Sequence, residues 1–228
     1  MAARRAARVF QASRSTSPSP ARRCESPPVS VSELQRLLSS GKTACNHADE
    51  VWPGLYIGDQ NMASDLRELA RVGISHIVNC AQSKGRGADC YAGMNVTYLG
   101  IEAHDSPAFD MSKNFYPVAD FIHKALSRGG KVLVHCAVGL SRSATLVLAY
   151  LMIRQNLTLV EAIKTVKDRR GVTPNRGFLR QLNGLDGILR ESRRANRLPA
   201  TPRRAKTESA DDRPDADDGR GGARSGRR

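Results

Sequence analysis

The chain has 228 residues and a formal net charge of +14, a length that suits one domain with a real core plus tails. No apolar run reaches the ~18 residues of a membrane span, and residues 1–10 lack the apolar stretch of a secretory signal. The basicity does not indicate nucleic-acid binding, because it sits at the two ends: six arginines against one acid in 1–28, twelve basic residues against seven acids in 190–228, but eighteen against fourteen between them.

Residues 1–28 are Arg, Ala, Ser and Pro with one acid, which cannot bury a core, so a disordered basic tail is expected. An Arg-rich, Ser-rich, acid-poor start also fits a mitochondrial transit peptide. Localisation is therefore expected in the cytoplasm or nucleus, with the mitochondrion left open. The domain is expected over 29–194. In VSVSELQRLLSS, Val31, Leu34, Leu37 and Leu38 fall on one helical face, and Ser30 with Glu33 forms a capping-box pattern, so a helix is predicted over 30–40. That helix packs on its own domain or on a partner, and a homodimer through it is one expectation.

Residues 51–57 read as a strand pair broken at Pro53-Gly54. A single helix is predicted over 61–72, closed by Gly73, then a strand over 74–80. A polar, Gly-rich loop fills 82–93, a strand 96–101 and a helix 112–126. Thr158 with Glu161 opens a helix over 159–169, which Gly171 closes, and Asn175 caps a last helix over 176–194. Residues 195–228 read as a disordered tail of mixed charge. Strands alternating with helices predict an α/β domain: a single, mostly parallel central sheet flanked by helices.

Between these elements lies KVLVHCAVGLSRSATLVLAY, residues 131–150. Residues 131–134 read as a buried strand, 136–142 as a loop and 143–150 as an apolar helix with Ser143 as its N-cap. A loop running from a strand into a helix aims successive backbone N–H groups at one point, a nest for an anion, and the helix N-terminus adds positive potential. Arg142 can hold two phosphate oxygens with its planar fork. In that field the Cys136 thiol, ordinarily near a pKa of about 8.5, falls to roughly 3.5–7.5 and is largely thiolate at neutral pH. This is a nucleophile placed to attack phosphorus. A buried structural cysteine beside a surface arginine is the plainer alternative. A nucleotide loop is disfavoured because no G-x-x-x-x-G-K-[ST] occurs. The five cysteines include no C-x-x-C pair, which argues against a zinc site or disulfide framework and for a reducing compartment.

HCAVGLSRSAT resembles the active-site loop of the cysteine-dependent dual-specificity protein phosphatases. The likeness runs from about residue 45 to 189 and includes HADEVWPGLYIGD, GISHIVNCA, GIEAHDSPAFDM, NLTLVEAI and PNRGFLRQL. Within the family the chain is most similar to the small atypical members. The resemblance implies a hydrolase for phosphotyrosine and for phosphoserine and phosphothreonine, with mitogen-activated protein kinases as suggested substrates and no metal or cofactor. A phosphoprotein-binding scaffold with weak catalysis, and a phosphatase of a non-protein phosphate, are the alternatives.

A leaving alkoxide needs a proton, and the residues alone leave Glu102, Asp105 and Asp110 equal as its source. The resemblance selects Asp105. It also implies that Ser143 hydrogen-bonds the sulfur and that His135 orients the loop through a buried hydrogen bond. Ala137, Val138, Gly139, Leu140 and Ser141 would line the phosphate site mainly by backbone. None is a lysine, which favours phosphoprotein over highly charged lipid or RNA. Cys80 ends a strand and reads as a small buried hydrophobe, or as a partner for a reversible disulfide with Cys136.

Overall fold

The computed structural model describes residues 29–41, 43–83 and 87–196. The expectations for 1–28 and for the tail beyond residue 196 lie outside the described residues. Five strands form one sheet: β1 (Ala48–Trp52), β2 (Leu55–Gly58), β3 (His76–Asn79), β4 (Thr97–Gly100) and β5 (Val132–His135). Their spatial order is β1-β2-β5-β3-β4, with β1 antiparallel at one edge and every other pairing parallel. The Pro53-Gly54 break makes the β1–β2 hairpin, and Gly54 turns it at φ 73°. The mostly parallel sheet is as the sequence predicts.

β5 is the central strand and is buried at all four positions. Val132 and Val134 pack into one core cluster and Leu133 into the other, the period-2 alternation of a strand covered on both faces. The larger cluster lies under α4 (Phe115–Leu126), α5 (Arg142–Arg154), α6 (Leu159–Lys167) and α7 (Arg176–Ala195). The smaller one is closed by α2 (Gln60–Ser64), α3 (Leu66–Val72) and Tyr91. α5 is buried from Ser143 to Met152, so it is apolar all round rather than on one stripe. Among the described residues no helix is long and apolar enough to cross a membrane.

The helix predicted over 30–40 is α1 (Val31–Ser39), and its capping box between Ser30 and Glu33 is formed. It buries Leu34 and Leu38 and packs on α6 and α7 of its own domain. The box at Thr158 and Glu161 is formed as well. Three expectations change. The single helix over 61–72 is two helices, because Asp65 leaves helical geometry and caps α3 by accepting the Glu68 N–H at 3.0 Å. α6 ends at Lys167 with Asp168 as its C-cap, so Gly171 does not close it; instead Gly171 lets Thr43 approach, since a Cβ there would meet the Thr43 carbonyl oxygen at 2.3 Å. Ser143 is not the N-cap of the helix after the loop. α5 starts at Arg142 with Ser141 in the capping position, and Ser143 is buried in the first turn.

Candidate active site

β5 ends at His135, so Cys136 is the first residue past the carboxyl end of the central strand, where open α/β sheets place their ligands. The loop from Cys136 to Ser141 then climbs into α5. Gly139 takes φ 77°, a conformation that strains a residue with a Cβ. That turn sends its N–H to Cys136 Sγ at 3.2 Å, while its carbonyl accepts from the buried Arg170 Nε at 3.1 Å. A Cβ there would lie 2.6 Å from both Arg170 Nη2 and the Gly58 carbonyl oxygen. Ser143 Oγ is 3.4 Å from the sulfur.

These contacts decide the state of the thiol. Burial pushes the Cys136 pKa up; the Ser143 hydroxyl and N–H, then the N–H groups of Gly139 and Val138, pull it down. The hydrogen bonds win, and the thiol is held below its ordinary value. His135 beneath it is held by burial at about 4, hence neutral near pH 7, and its Nδ1 lies 3.4 Å from the Cys136 carbonyl oxygen. What lowers the thiol pKa is thus hydrogen bonding from the loop and Ser143, not an imidazolium.

Arg142 is largely covered. Its Nη1 donates to the Ala103 carbonyl at 3.0 Å, which ties the first turn of α5 to the loop after β4. Its Nε is buried, 3.9 Å from Asp105 Oδ2, with no hydrogen-bond partner among the described residues. Asp105 Oδ1 accepts from Ser141 Oγ at 2.7 Å and from Asn175 Nδ2 at 2.9 Å. Of the three acids left open by composition, Asp105 is brought to the loop; Asp110 binds Ser112, and Glu102 is exposed. Ala137 and Val138 are exposed at the loop's rim, while Gly139 and Ser141 are buried. Cys80 is fully buried, one residue past the Asn79–His135 register pair, and its N–H donates to the His135 carbonyl at 2.8 Å. Burial, then the Cys136 charge, hold its thiol well above the ordinary value.

Two functional neighbours escape the sequence reading. Arg170 is fully buried beneath the loop. Its Nε donates to the Gly139 carbonyl at 3.1 Å, and its Nη1 donates to Asp49 Oδ2 at 2.6 Å and to the Asn46 carbonyl at 2.7 Å. Asn175 is legible as a helix cap, and it is one, but its other amide end reaches Asp105. The connection from α6 to α7 thereby grips three consecutive loop residues: Arg170 on Gly139, the Thr173 N–H on the Leu140 carbonyl, and the Asn175 N–H on Ser141 Oγ.

Residues 55–186 match the family model for the dual specificity phosphatase catalytic domain. The chain is 67% identical to human dual specificity protein phosphatase 26 over 167 residues, covering 72% of this chain and 79% of that protein. It is 54% identical to human dual specificity protein phosphatase 13B over 167 residues, 71% of this chain and 84% of the other. The crystal structure of a mouse putative dual specificity phosphatase complexed with zinc tungstate superposes with a TM-score of 0.59 at 31% identity, covering 68% of this chain and 95% of that one. The sulfur-cradling loop, the aspartate beside it and these likenesses agree: the chain belongs to the dual-specificity protein phosphatase family.

Proposed function

We propose that this dual-specificity phosphatase cleaves phosphotyrosine, phosphoserine and phosphothreonine in proteins through a phosphocysteine on Cys136. The observation that carries the reading is the sulfur's setting: N–H groups and a hydroxyl converge on a thiol held below its usual pKa, beside a buried Arg142 Nε with no hydrogen bond among the described residues. A phosphate oxygen is the acceptor that such donors suit. Tungstate, found with the mouse relative, is a tetrahedral oxyanion of the same kind.

In the first step the Cys136 thiolate attacks phosphorus, the P–O bond to the leaving oxygen breaks, and Asp105 gives that oxygen its proton. In the second, water attacks the phosphocysteine, Asp105 takes the water's proton, and Cys136 departs as a thiolate that the Ser143 hydroxyl stabilises. The loop N–H groups and Arg142 hold the equatorial oxygens throughout. Mitogen-activated protein kinases are the substrates we put first, on the family resemblance and the absence of a lysine from the loop. A homodimer through α1 would have to use the residues it leaves exposed, because Leu34 and Leu38 are spent on its own domain.

The test compares an aryl phosphate with doubly phosphorylated peptides. Wild type turns over both phosphotyrosine and phosphothreonine. Asp105→Asn is expected to lose about 10²–10⁴-fold in kcat/KM on phosphothreonine, where the alkoxide needs a proton, and much less on an activated aryl phosphate. Equal losses on both would put the acid elsewhere.

The same reading extends to oxidation. Peroxide converts the Cys136 thiolate to a sulfenic acid; attack by the Cys80 sulfur would then form the disulfide and release water. Mass spectrometry after mild peroxide decides between the two readings of Cys80, and a Cys80–Cys136 bridge would establish the disulfide. Sulfinic acid at Cys136 with no bridge would leave Cys80 as a packing residue only.

A further inference from the structure

Asp105 lies on the connection between β4 and α4, with its side chain 38% exposed. No regular element of its own fixes its rotamer. Two donors from elsewhere meet at one of its oxygens, and the direction of each is settled by a backbone group. Asn175 Oδ1 accepts the Phe178 N–H at 3.0 Å to cap α7. That fixes which end of the amide is oxygen, so the end facing Asp105 Oδ1 is the donor –NH₂. Ser141 Oγ accepts the Asn175 N–H at 3.2 Å, which leaves its own hydroxyl proton for Asp105 Oδ1 at 2.7 Å. Oδ1 is therefore an acceptor twice over. The other oxygen faces Arg142 Nε across 3.9 Å, on the side of the phosphate site.

We propose that Asn175 and Ser141 are positioning residues that hold Asp105 Oδ1 as an acceptor and so assign the catalytic proton to Oδ2. The assignment rests on Asp105 being the general acid. In the first half-reaction the Oδ2–H proton moves to the leaving oxygen as its bond to phosphorus breaks. In the second a proton from the attacking water returns to Oδ2. Oδ1 keeps both hydrogen bonds in each half, so the carboxyl group does not have to rotate between them.

Among the described residues, charged and titratable groups approach Asp105 from these elements. α5 contributes Arg142, and the loop contributes Cys136 in the same site. From its own connection comes His104, whose ring packs edge-on against Phe109. α7 contributes exposed Arg176 next to Asn175.

Two substitutions separate positioning from mere capping, since aspartate and serine both cap helices well. Asn175→Asp replaces a donor with a second carboxylate beside Oδ1. The two would share one proton, and the basic limb of the pH–rate profile on a phosphothreonine peptide is expected to move up by about one unit or more. Asn175→Ser keeps the cap but is too short to reach Asp105. Its kcat on the phosphothreonine peptide is expected to fall about tenfold, with a clearly smaller loss on an aryl phosphate. A wild-type pH profile in the first variant, or equal losses on both substrates in the second, would overturn the assignment. If Asp105→Asn itself shows no dependence on the leaving group, the fault lies with the acid and not with its positioning.

Discussion

Cys136→Ser is expected to lose turnover of every phosphomonoester by on the order of 10⁴–10⁶-fold while phosphate binding survives. The loop that lowers the thiol pKa cannot do the same for a serine, whose hydroxyl has no ionised form near neutrality to stabilise. Oxygen also sits closer to its carbon than sulfur does, so the attacking atom withdraws from phosphorus. Nothing that binds the anion is removed: the N–H groups of Val138, Gly139 and Ser143 remain, and so does Arg142. Aryl phosphate hydrolysis and calorimetric titration with inorganic phosphate measure the two effects separately. Turnover within tenfold of wild type would place the nucleophile elsewhere. Loss of phosphate binding would mean that the loop keeps its shape only around a thiolate. Wild-type activity should also carry an acidic limb, rising with pH as the thiol ionises, and that limb should lie below the usual thiol range because the hydrogen bonds outweigh burial.

What the sequence disclosed was local. The strand, loop and helix around Cys136 could be read from a few adjacent residues, and so could the two capping boxes, which span four residues each. Two of the three local readings that failed show why. Apolar residues continue on both sides of Asp65, so periodicity joined α2 to α3 although Asp65 caps its own helix. Ser143 has the chemistry of a cap, but the tight loop starts α5 at Arg142 and turns the hydroxyl inward to the sulfur. The larger misses concern distance. Asn175 is visible as a cap through its neighbour Phe178, whereas its bond to Asp105 crosses seventy residues of chain. Nothing in the sequence singles out Arg170, which lies just past the helix predicted over 159–169, and arginine is rarely buried unless paired. Its partners Asp49 and Gly139 lie 121 and 31 residues away, and no local pattern announces them.

Arg170 supplies the second large effect. Arg170→Met is expected to cost about 3–5 kcal/mol of folding free energy, the range for removing one partner of a buried ion pair. Against a total of roughly 5–15 kcal/mol for a domain, that is a large share. The cost does not come from lost packing, since methionine fills much of the space. It comes from Asp49, whose side chain is 9% exposed and loses its ion-pair partner, keeping the Asn46 N–H donors among the described residues. The Gly139 carbonyl loses its donor as well. Arg170→Lys should recover only part, because an ammonium cannot serve Gly139 and Asp49 at once from the two ends of a planar fork. Asp49→Asn removes the stranded charge, so the double variant Asp49→Asn/Arg170→Met should lose less than the two single losses combined in urea unfolding. A double variant losing the full sum would show that the pair contributes nothing as a pair. Catalysis then separates stability from loop shape. With the fold restored and the Gly139 carbonyl still unheld, its peptide is free to turn, and the N–H that faces Cys136 turns with it. The double variant should therefore regain stability without regaining kcat/KM, and its acidic limb should move to higher pH as the thiolate loses that donor.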